Sequence, residues 1–156
     1  PDTQQAIYDY GDFTMMWEHA VGIGLGPFQR SHGVAFIGNL GTLVVDRAGW
    51  EVLAEIEYTN QTQKMSPVPK VAISPELSGL NQHTENFVDC VKSRAQPTCP
   101  PEIGGLAAIN AHLGNIAFKT GRKLDWDAKS ASFGDDPEAN ALLKATYRAP
   151  WKLPEV

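Results

Sequence analysis

The stretch VAFIGNLGTLVVD, residues 34–46, decides the fold, because β-branched and aromatic residues stand on both sides of a short turn at residues 39–41. Residues 32–38 and 42–47 are therefore predicted to form a hairpin. Residues 50–57 supply a further strand after another short turn. Connections this short favour antiparallel neighbours, because a parallel pair of strands needs a long crossover.

A second hairpin is predicted at the start of the chain. Residues 4–10 alternate between apolar and polar types, Gly11 and Asp12 suit a tight turn, and residues 13–19 form the returning arm. A glycine-rich loop, residues 20–31, then leads to the next strand.

Apolar side chains point to both faces of the middle strands. Val34 and Phe36 point one way, whereas Ala35 and Ile37 point the other, because successive side chains alternate across a strand. An antiparallel sheet with one wet face would show cleaner alternation. Since the chain's own helices can cover only one face, the other is predicted to pack against a partner chain.

The second half of the chain is predicted to be mainly helical. Residues 59–79 are predicted to be a loop or an extended excursion. An apolar stripe then predicts a helix that ends near Arg94 (Leu80, Phe87, Val88 and Val91). Residues 102–119 form the strongest helical pattern, with prolines before it and Gly121 after it. This longer helix has an apolar stripe expected to face the sheet (Leu106, Ile109, Leu113 and Ile116), a stripe of small residues that lets another backbone approach (Gly104, Ala107, Ala111 and Gly114) and a polar stripe (His112, Asn115 and Lys119).

The last third of the chain gives weaker signals. Residues 123–127 are predicted as an edge strand, and Asp136 is predicted to cap a short helix that runs to about Lys144. Residues 147–156 are interpreted as an extended arm. The predicted fold class is α+β, with an open, mainly antiparallel sheet, helices packed on one face and the other face used for oligomerisation.

Composition excludes several classes of function. The 156 residues carry a formal charge of −5 and are 42% hydrophobic, which allows a core and argues against nucleic acid and anionic membranes as partners. The chain has no apolar run of about 18 residues, so no membrane helix is expected. The two cysteines lack any zinc spacing and fit a reducing compartment. A cytoplasmic location is expected, or a periplasmic one if a signal precedes the chain.

The glycine cluster at residues 22–26 resembles a dinucleotide loop, with Asp46 about where a ribose-binding acid would stand. Such a loop must open a helix, however, whereas Pro27 and a strand follow here. No cofactor site is therefore predicted within the chain. No HExxH motif, histidine pair or Cys/His cluster predicts a metal site either.

Four residues are predicted to lie nearest to a substrate pocket: His19, Arg30, His112 and Asn115. His112 and Asn115 share the polar stripe of the longer helix, where they could donate to a sugar hydroxyl or a phosphate. Arg30 could clamp a carboxylate or phosphate from the glycine-rich loop. The alternatives stay open. His112 and Asn115 could belong to a solvated helix face, Arg30 could be a surface charge with no partner, and His19 could hold a structural or rim position.

Several runs resemble the Gfo/Idh/MocA (glucose-fructose oxidoreductase/inositol dehydrogenase) family, in a branch common in bacteria. They are HTENFVDCVKSR at residues 83–94, HLGNIA at 112–117, TGRKL at 120–124, YRAPW at 147–151 and GTLVVDR at 41–47. The resemblance implies an N-terminal Rossmann domain that holds NAD or NADP, followed by an α+β domain with an open antiparallel sheet that builds oligomers.

The resemblance also implies that the family's catalytic residues lie outside this chain. The lysine of the EKP-type motif and the helix with the acid-base Asp and His have no counterpart here. Residues 1–156 are thus predicted to be a single C-terminal substrate and oligomerisation domain without its Rossmann domain.

The resemblance implies a function for the full-length protein: NAD(P)-dependent hydride transfer on a sugar or polyol. The chain alone is expected to be inactive, to bind no cofactor, and to serve as pocket wall and oligomerisation scaffold. Two alternatives are a non-enzymatic oligomerisation or binding module and an NAD-recycling glycosidase or lyase of the same family.

Overall fold

The computed structural model describes residues 1–74 and 79–152. In chain order, its elements are β1 (Thr3–Asp9), β2 (Thr14–Ala20), β3 (Val34–Ile37), β4 (Gly41–Asp46), β5 (Gly49–Ala54), β6 (Val71–Ala72), α1 (Leu80–Ser93), α2 (Pro101–Thr120) and α3 (Pro137–Ala141). Two compact units divide these elements between them. The hairpin unit combines residues up to Val21 with residues from Pro101 onward, and the sheet unit is Gly22–Pro100.

In the hairpin unit, β1 and β2 form the predicted antiparallel hairpin. Tyr8 pairs with Met15 and Gln4 with His19, so these four side chains share one face. On β1, the residues of this face are half-buried and the intervening ones are exposed. Helix α2 lies against this face, because the Gln4 amide donates to the Gly114 carbonyl at 2.9 Å and the Tyr8 hydroxyl donates to the Asn110 carbonyl.

Gly114 allows the close approach of α2 to β1. A Cβ at this position would lie 2.6 Å from the Tyr8 hydroxyl oxygen and 3.1 Å from the Ala6 Cβ. The close approach of another backbone is thus confirmed at Gly114, one of the four residues predicted for it, whereas Gly104 and Ala107 are exposed. Desolvation of the Tyr8 hydroxyl at this contact raises the pKa of the phenol.

The apolar core of the hairpin unit lies between α2 and the segment that contains Phe133 and α3. Ile116 packs with Phe133 and Ala139, all three buried, and half-buried residues surround them (Leu113, Leu124 and Trp126). Leu106 is exposed. That this apolar stripe faces the sheet stays a prediction. Gly114 faces the hairpin, whereas Leu113 and Ile116 pack with the segment that leads into α3.

Helix α3 is fixed at its N-terminus. The Asp136 carboxylate accepts from the Ala139 amide at 3.1 Å, as its predicted capping role requires. Arg122 binds the same carboxylate at 2.7 Å and Glu138 at 3.2 Å. The hydrogen bond from Arg122 is the main cause of the lowered pKa of Asp136.

Two boundaries in the last third differ from the predictions. Helix α3 ends at Ala141 instead of near Lys144. Residues 123–127 form no strand, and Asp127 makes only an isolated bridge with Ser132. The Asp127 carboxylate accepts from the Lys129 amide and the Ser130 hydroxyl, which favours a turn over an extended edge. Of the predicted arm, residues 153–156 lie outside the described residues.

The sheet unit contains an open four-stranded antiparallel sheet in the order β3-β4-β5-β6. The fold class is therefore α+β with an open antiparallel sheet, as predicted. The register pairs Phe36 with Leu43 and Leu43 with Val52. The two-residue strand β6 lies in the region predicted as a loop and pairs with the start of β5.

The two faces of this sheet differ in chemistry. One, which we call the apolar face, carries six residues in two rows across the strands (Val34, Val45 and Trp50; Phe36, Leu43 and Val52). The opposite face carries Thr42 and Val44, both buried, together with two carboxylates, Asp46 and Glu51. We call it the network face.

Helix α1 follows in the sheet unit and ends at Ser93, and Arg94 caps it with a left-handed backbone (φ 61°). The segment after it folds back, since the Thr98 amide donates to the Asn86 side chain at 3.0 Å. Both cysteines of the unit are free thiols, Cys90 half-buried and Cys99 exposed.

Candidate functional site

The glycine-rich loop of the sheet unit has a defined shape. The Gly26 amide donates to the Arg30 carbonyl at 2.9 Å, and a short 3-10 turn, Pro27–Gln29, lies between them. Phe28 and Gln29 both have left-handed backbone (φ 56° and 57°), which L-residues rarely adopt. Two adjacent residues in this conformation represent stored strain, a feature that clusters at ligand sites.

The Arg30 side chain ties this loop to the sheet. One guanidinium nitrogen binds Asp46 at 2.5 Å, and the other binds Glu51. Lys70 approaches the second Glu51 oxygen at 3.5 Å. The Arg30 side chain is only 15% exposed, so the alternative that it is a surface charge without a partner was wrong. We call these four side chains the Arg30 network.

The Arg30 network shifts the ionisation of its members. Hydrogen bonds from Arg30 are the main cause of the lowered pKa values of the Asp46 and Glu51 carboxyls. For Glu51, the positive charge of Lys70 lowers the pKa further. Both acids are therefore ionised at neutral pH, and two positive charges balance two negative charges.

A shallow cavity of about 410 Å³ opens beside the Arg30 network. Its lining residues are Gly24, Leu25, Phe28, Gln29, Arg30, Ser31, Asp46, Glu51 and Lys70. All come from the glycine-rich loop, from β4 and β5, or from the segment just before β6. The cavity thus lies where a strained loop, a strand pair and a balanced set of charges meet.

The glycine-rich loop does not fit a dinucleotide. A phosphate-binding loop needs a helix N-terminus after its glycines, but Pro27–Gln29 makes a single 3-10 turn that leads on to β3. Asp46, the residue in the position of a ribose-binding acid, is held by Arg30. No nicotinamide chemistry is therefore derived from this loop.

Three of the predicted pocket residues lie in the hairpin unit. His19 is exposed on β2, on the hairpin face that α2 covers. His112 is exposed and Asn115 half-buried on α2. Asn110 and Gly114 face the hairpin. His112 is two residues from each of them, and residues two apart do not share a helix face, so His112 points away from the hairpin. The structure therefore places His19 and His112 on different sides of α2.

Arg30, the fourth predicted pocket residue, lies in the sheet unit, where both terminal nitrogens of its guanidinium are engaged. That these four residues contact substrate remains a prediction.

The sequence reasoning did not identify Asp46 and Glu51 as partners of Arg30. The signal was the register of the β4–β5 hairpin, in which Asp46 pairs with Gly49 and Val44 with Glu51. Residues two apart on a strand share a face, so this register puts both carboxylates on the network face. The strand predicted from the sequence began at residue 50, one residue after the start of β5 at Gly49, and so did not include the pairing of Asp46 with Gly49.

Comparison with protein families gives one match. Residues 59–153, more than half of the chain, match the family described as the oxidoreductase family, C-terminal alpha/beta domain, of Gfo/Idh/MocA proteins. The chain belongs to the Gfo/Idh/MocA oxidoreductase family. Neither the curated proteins nor the solved structures gave a significant match.

The Gfo/Idh/MocA match includes β6, all three helices, and the candidate residues His112 and Asn115. His19, Arg30 and most of the cavity lining precede it. Of the cavity lining, only Lys70 lies within the matched residues.

Within residues 1–74 and 79–152, His, Cys, Asp and Glu side chains form no group of three suited to a metal ion. None of the helices in this part of the chain has the length and hydropathy to cross a membrane.

Proposed function

We propose that this chain is the substrate-side and oligomerisation domain of an NAD(P)-dependent oxidoreductase that acts on a sugar or polyol. The observation that carries the proposal is the match of residues 59–153 to the C-terminal domain of an oxidoreductase family. The bound nicotinamide would accept or supply hydride at a sugar carbon. Since the glycine-rich loop does not fit the dinucleotide, the proposal assigns the cofactor to a Rossmann domain outside residues 1–156.

The chain's own contribution, in this proposal, is to hold the substrate. Polar side chains suited to hydroxyl groups occur in both units: the Arg30 network in one, and His19, His112 and Asn115 in the other. Hydroxyls donate to carboxylates and accept from ammonium, amide and imidazole groups, so these residue types fit a sugar.

The apolar face supports the oligomerisation role, with a second copy of the chain as its occupant. Its six residues carry no charge, whereas the chain as a whole carries −5. Because this face carries no charge, two acidic copies can meet there without contact between like charges. A shallow, mainly apolar cavity of about 390 Å³, lined by Phe36, Leu43 and Val52 among others, could accept side chains of the second copy.

Hydride transfer is tested on the longest natural polypeptide that contains this chain. Incubation with NAD⁺ or NADP⁺ and a panel of polyols and aldoses should produce the absorbance of reduced nicotinamide. If neither cofactor is reduced with any member of the panel and neither binds in calorimetry, the oxidoreductase proposal is wrong.

The oligomerisation role is tested separately by sedimentation equilibrium. The chain should form a dimer or larger species at micromolar concentration, and Phe36→Lys should shift it towards monomer, because a buried charge is costly. Tyr58→Lys, at a position 88% exposed, is the matched control and should change nothing. A wild-type chain that is strictly monomeric would contradict this role.

A non-enzymatic oligomerisation or binding module is the second candidate, because the apolar face alone would suffice for it. The same polypeptide separates the two candidates. Reduced nicotinamide excludes the module, whereas self-association without cofactor binding supports it.

A further inference from the structure

We infer that the cavity beside the Arg30 network binds an uncharged, hydroxyl-rich ring and discriminates against acidic and phosphorylated forms of the same sugar. This inference rests on the proposed function and narrows its substrate class. It reverses the simplest expectation for an arginine in a glycine-rich loop, which is that it clamps an anion.

The size of the cavity suits a single sugar ring. Its volume of about 410 Å³ lies at the lower end of the roughly 300–1,000 Å³ typical of small-ligand pockets. It is open on one side, so a monosaccharide, or the terminal ring of a longer saccharide, could enter without movement of the sheet.

The charges of the cavity are balanced and already paired. Arg30 and Lys70 face Asp46 and Glu51, and each terminal nitrogen of the guanidinium binds a carboxylate. An anionic ligand would lose hydration on entering and would find no net positive charge in return. It would also approach two carboxylates that are only 10% and 26% exposed.

Uncharged hydroxyl groups suit the same environment. One Glu51 oxygen binds Arg30 and the other Lys70, so each keeps a further acceptor position, whereas Asp46 already accepts from Arg30 and from the Ala48 amide. The Gln29 amide and the Lys70 ammonium can donate. A hydroxyl both donates and accepts, so it can bridge such groups without disrupting the ion pairs. The Phe28 ring, 41% exposed, offers an apolar surface for the C–H groups of the ring.

The backbone of the loop supports a binding role. Phe28 and Gln29, two of the lining residues, are the adjacent left-handed residues. The hydrogen bond from the Gly26 amide to the Arg30 carbonyl holds this shape, and Gly26 is needed there because a Cβ would lie 2.9 Å from that carbonyl oxygen. Arg30 therefore acts as a positioning residue that fixes Phe28 and Gln29, and not as the anion clamp.

The test measures binding of a ligand panel to the full chain by ligand-observed NMR. The panel contains myo-inositol and glucose as neutral probes, and glucuronate and glucose 6-phosphate as acidic ones. The wild-type chain should bind the neutral probes, with the acidic ones at least about tenfold weaker, since a charge buried without a free partner is strongly disfavoured.

Two variants shift the charge balance of the cavity in opposite directions. Glu51→Gln leaves one unpaired positive charge and should reduce the discrimination against glucuronate severalfold. Lys70→Gln leaves one extra negative charge and should increase the discrimination, because the affinity for glucuronate should fall more than the affinity for myo-inositol. Lys70 is 60% exposed, so its variant keeps the test usable if Glu51→Gln does not fold.

The matched controls are Glu55→Gln and Lys64→Gln, which make the same changes of total charge outside the cavity lining. Both should behave as the wild type does. Equal binding of glucose and glucuronate, or a control variant as effective as its partner, overturns the inference. So does a lack of binding by every probe. If the longer polypeptide still reduces nicotinamide with a polyol, the proposed function stands and only this assignment fails.

Discussion

The packing of α2 on the hairpin gives a quantitative prediction at Gly114. Replacing a glycine inside a helix with alanine normally stabilises a protein by up to about 1 kcal/mol. At Gly114, the new methyl group would lie 2.6 Å from the Tyr8 hydroxyl and 3.1 Å from the Ala6 Cβ. The helix must shift or Tyr8 must give up its bond to the Asn110 carbonyl. Overpacking costs about 1–3 kcal/mol, and the lost hydrogen bond about 0.5–1.5 kcal/mol.

Gly114→Ala is therefore expected to lower the free energy of unfolding by about 1–2 kcal/mol, after the gain in helix propensity is subtracted. Gly105→Ala is the matched control on the same helix. A Cβ at Gly105 meets no atom within 4 Å, so this variant should be as stable as the wild type or slightly more so. Urea denaturation followed by circular dichroism measures both variants.

Tyr8→Phe provides an internal check on the cause. Without the hydroxyl, the closest contact of the new methyl group disappears, so Gly114→Ala should cost less in the Tyr8→Phe background. A coupling energy of about 0.5 kcal/mol or more is expected for side chains in direct contact. If Gly114→Ala is as stable as Gly105→Ala, α2 does not lie on β1 as described, and the reasoning is refuted.

Three further predictions follow from other contacts. Asp46 and Glu51 have pKa values below their ordinary 3.8 and 4.5, so the stability they contribute is present above those values and is lost as pH falls through the lower folded-state values. Arg30→Met should thus lower the melting temperature at neutral pH, and the difference from the wild type should shrink in acid; a pH-independent difference would contradict the ion-pair account. Ile116→Val in the buried core should cost about 0.5–1.5 kcal/mol, whereas Phe118→Leu, at a position 60% exposed, should be nearly neutral by the same denaturation assay; equal costs would place the core elsewhere. Finally, calorimetry of the 156-residue chain with NAD⁺ or NADP⁺ should give no binding signal, and a clear signal would reverse the assignment of the cofactor to another domain.

Local sequence patterns predicted most of the helices and strands, because these elements are determined by residues close to one another in the sequence. The hairpins follow from alternation around short turns, and α2 follows from periodicity between Pro101 and Gly121. Asp136 was predicted as a cap because a carboxylate before Pro137 satisfies the free amides of a first helical turn. Such signals involve residues within a few positions of one another.

Tertiary packing could not be predicted in the same way. The apolar stripe of α2 indicates that one side is buried, but it does not say against what. Ile116 packs with Phe133, which lies 17 residues later in the chain, whereas Gly114 packs against Tyr8, more than 100 residues earlier. The prediction of an edge strand at residues 123–127 was wrong because the Asp127 side chain accepts hydrogen bonds from the next residues and forms a turn. The alternation of apolar and polar residues gives no information about such a turn.

The candidate site shows the same limit. Arg30 was predicted as a site residue because it lies in the glycine-rich loop. Its two carboxylate partners depend on the β4–β5 register, in which a one-residue shift moves every side chain to the other face. The charge balance of the cavity, on which the proposed preference for an uncharged ligand rests, therefore became visible only in the structure.

Isotope transfer tests the assignment to a sugar oxidoreductase most directly. The longest natural polypeptide containing this chain is incubated with NAD⁺ or NADP⁺ and a polyol or aldose that carries deuterium on its oxidisable carbon, and the nicotinamide product is analysed by mass spectrometry. Direct hydride transfer predicts that the reduced nicotinamide carries the deuterium. Turnover that leaves the label in the sugar or releases it to water, or no reduction with any substrate of the panel, would contradict it.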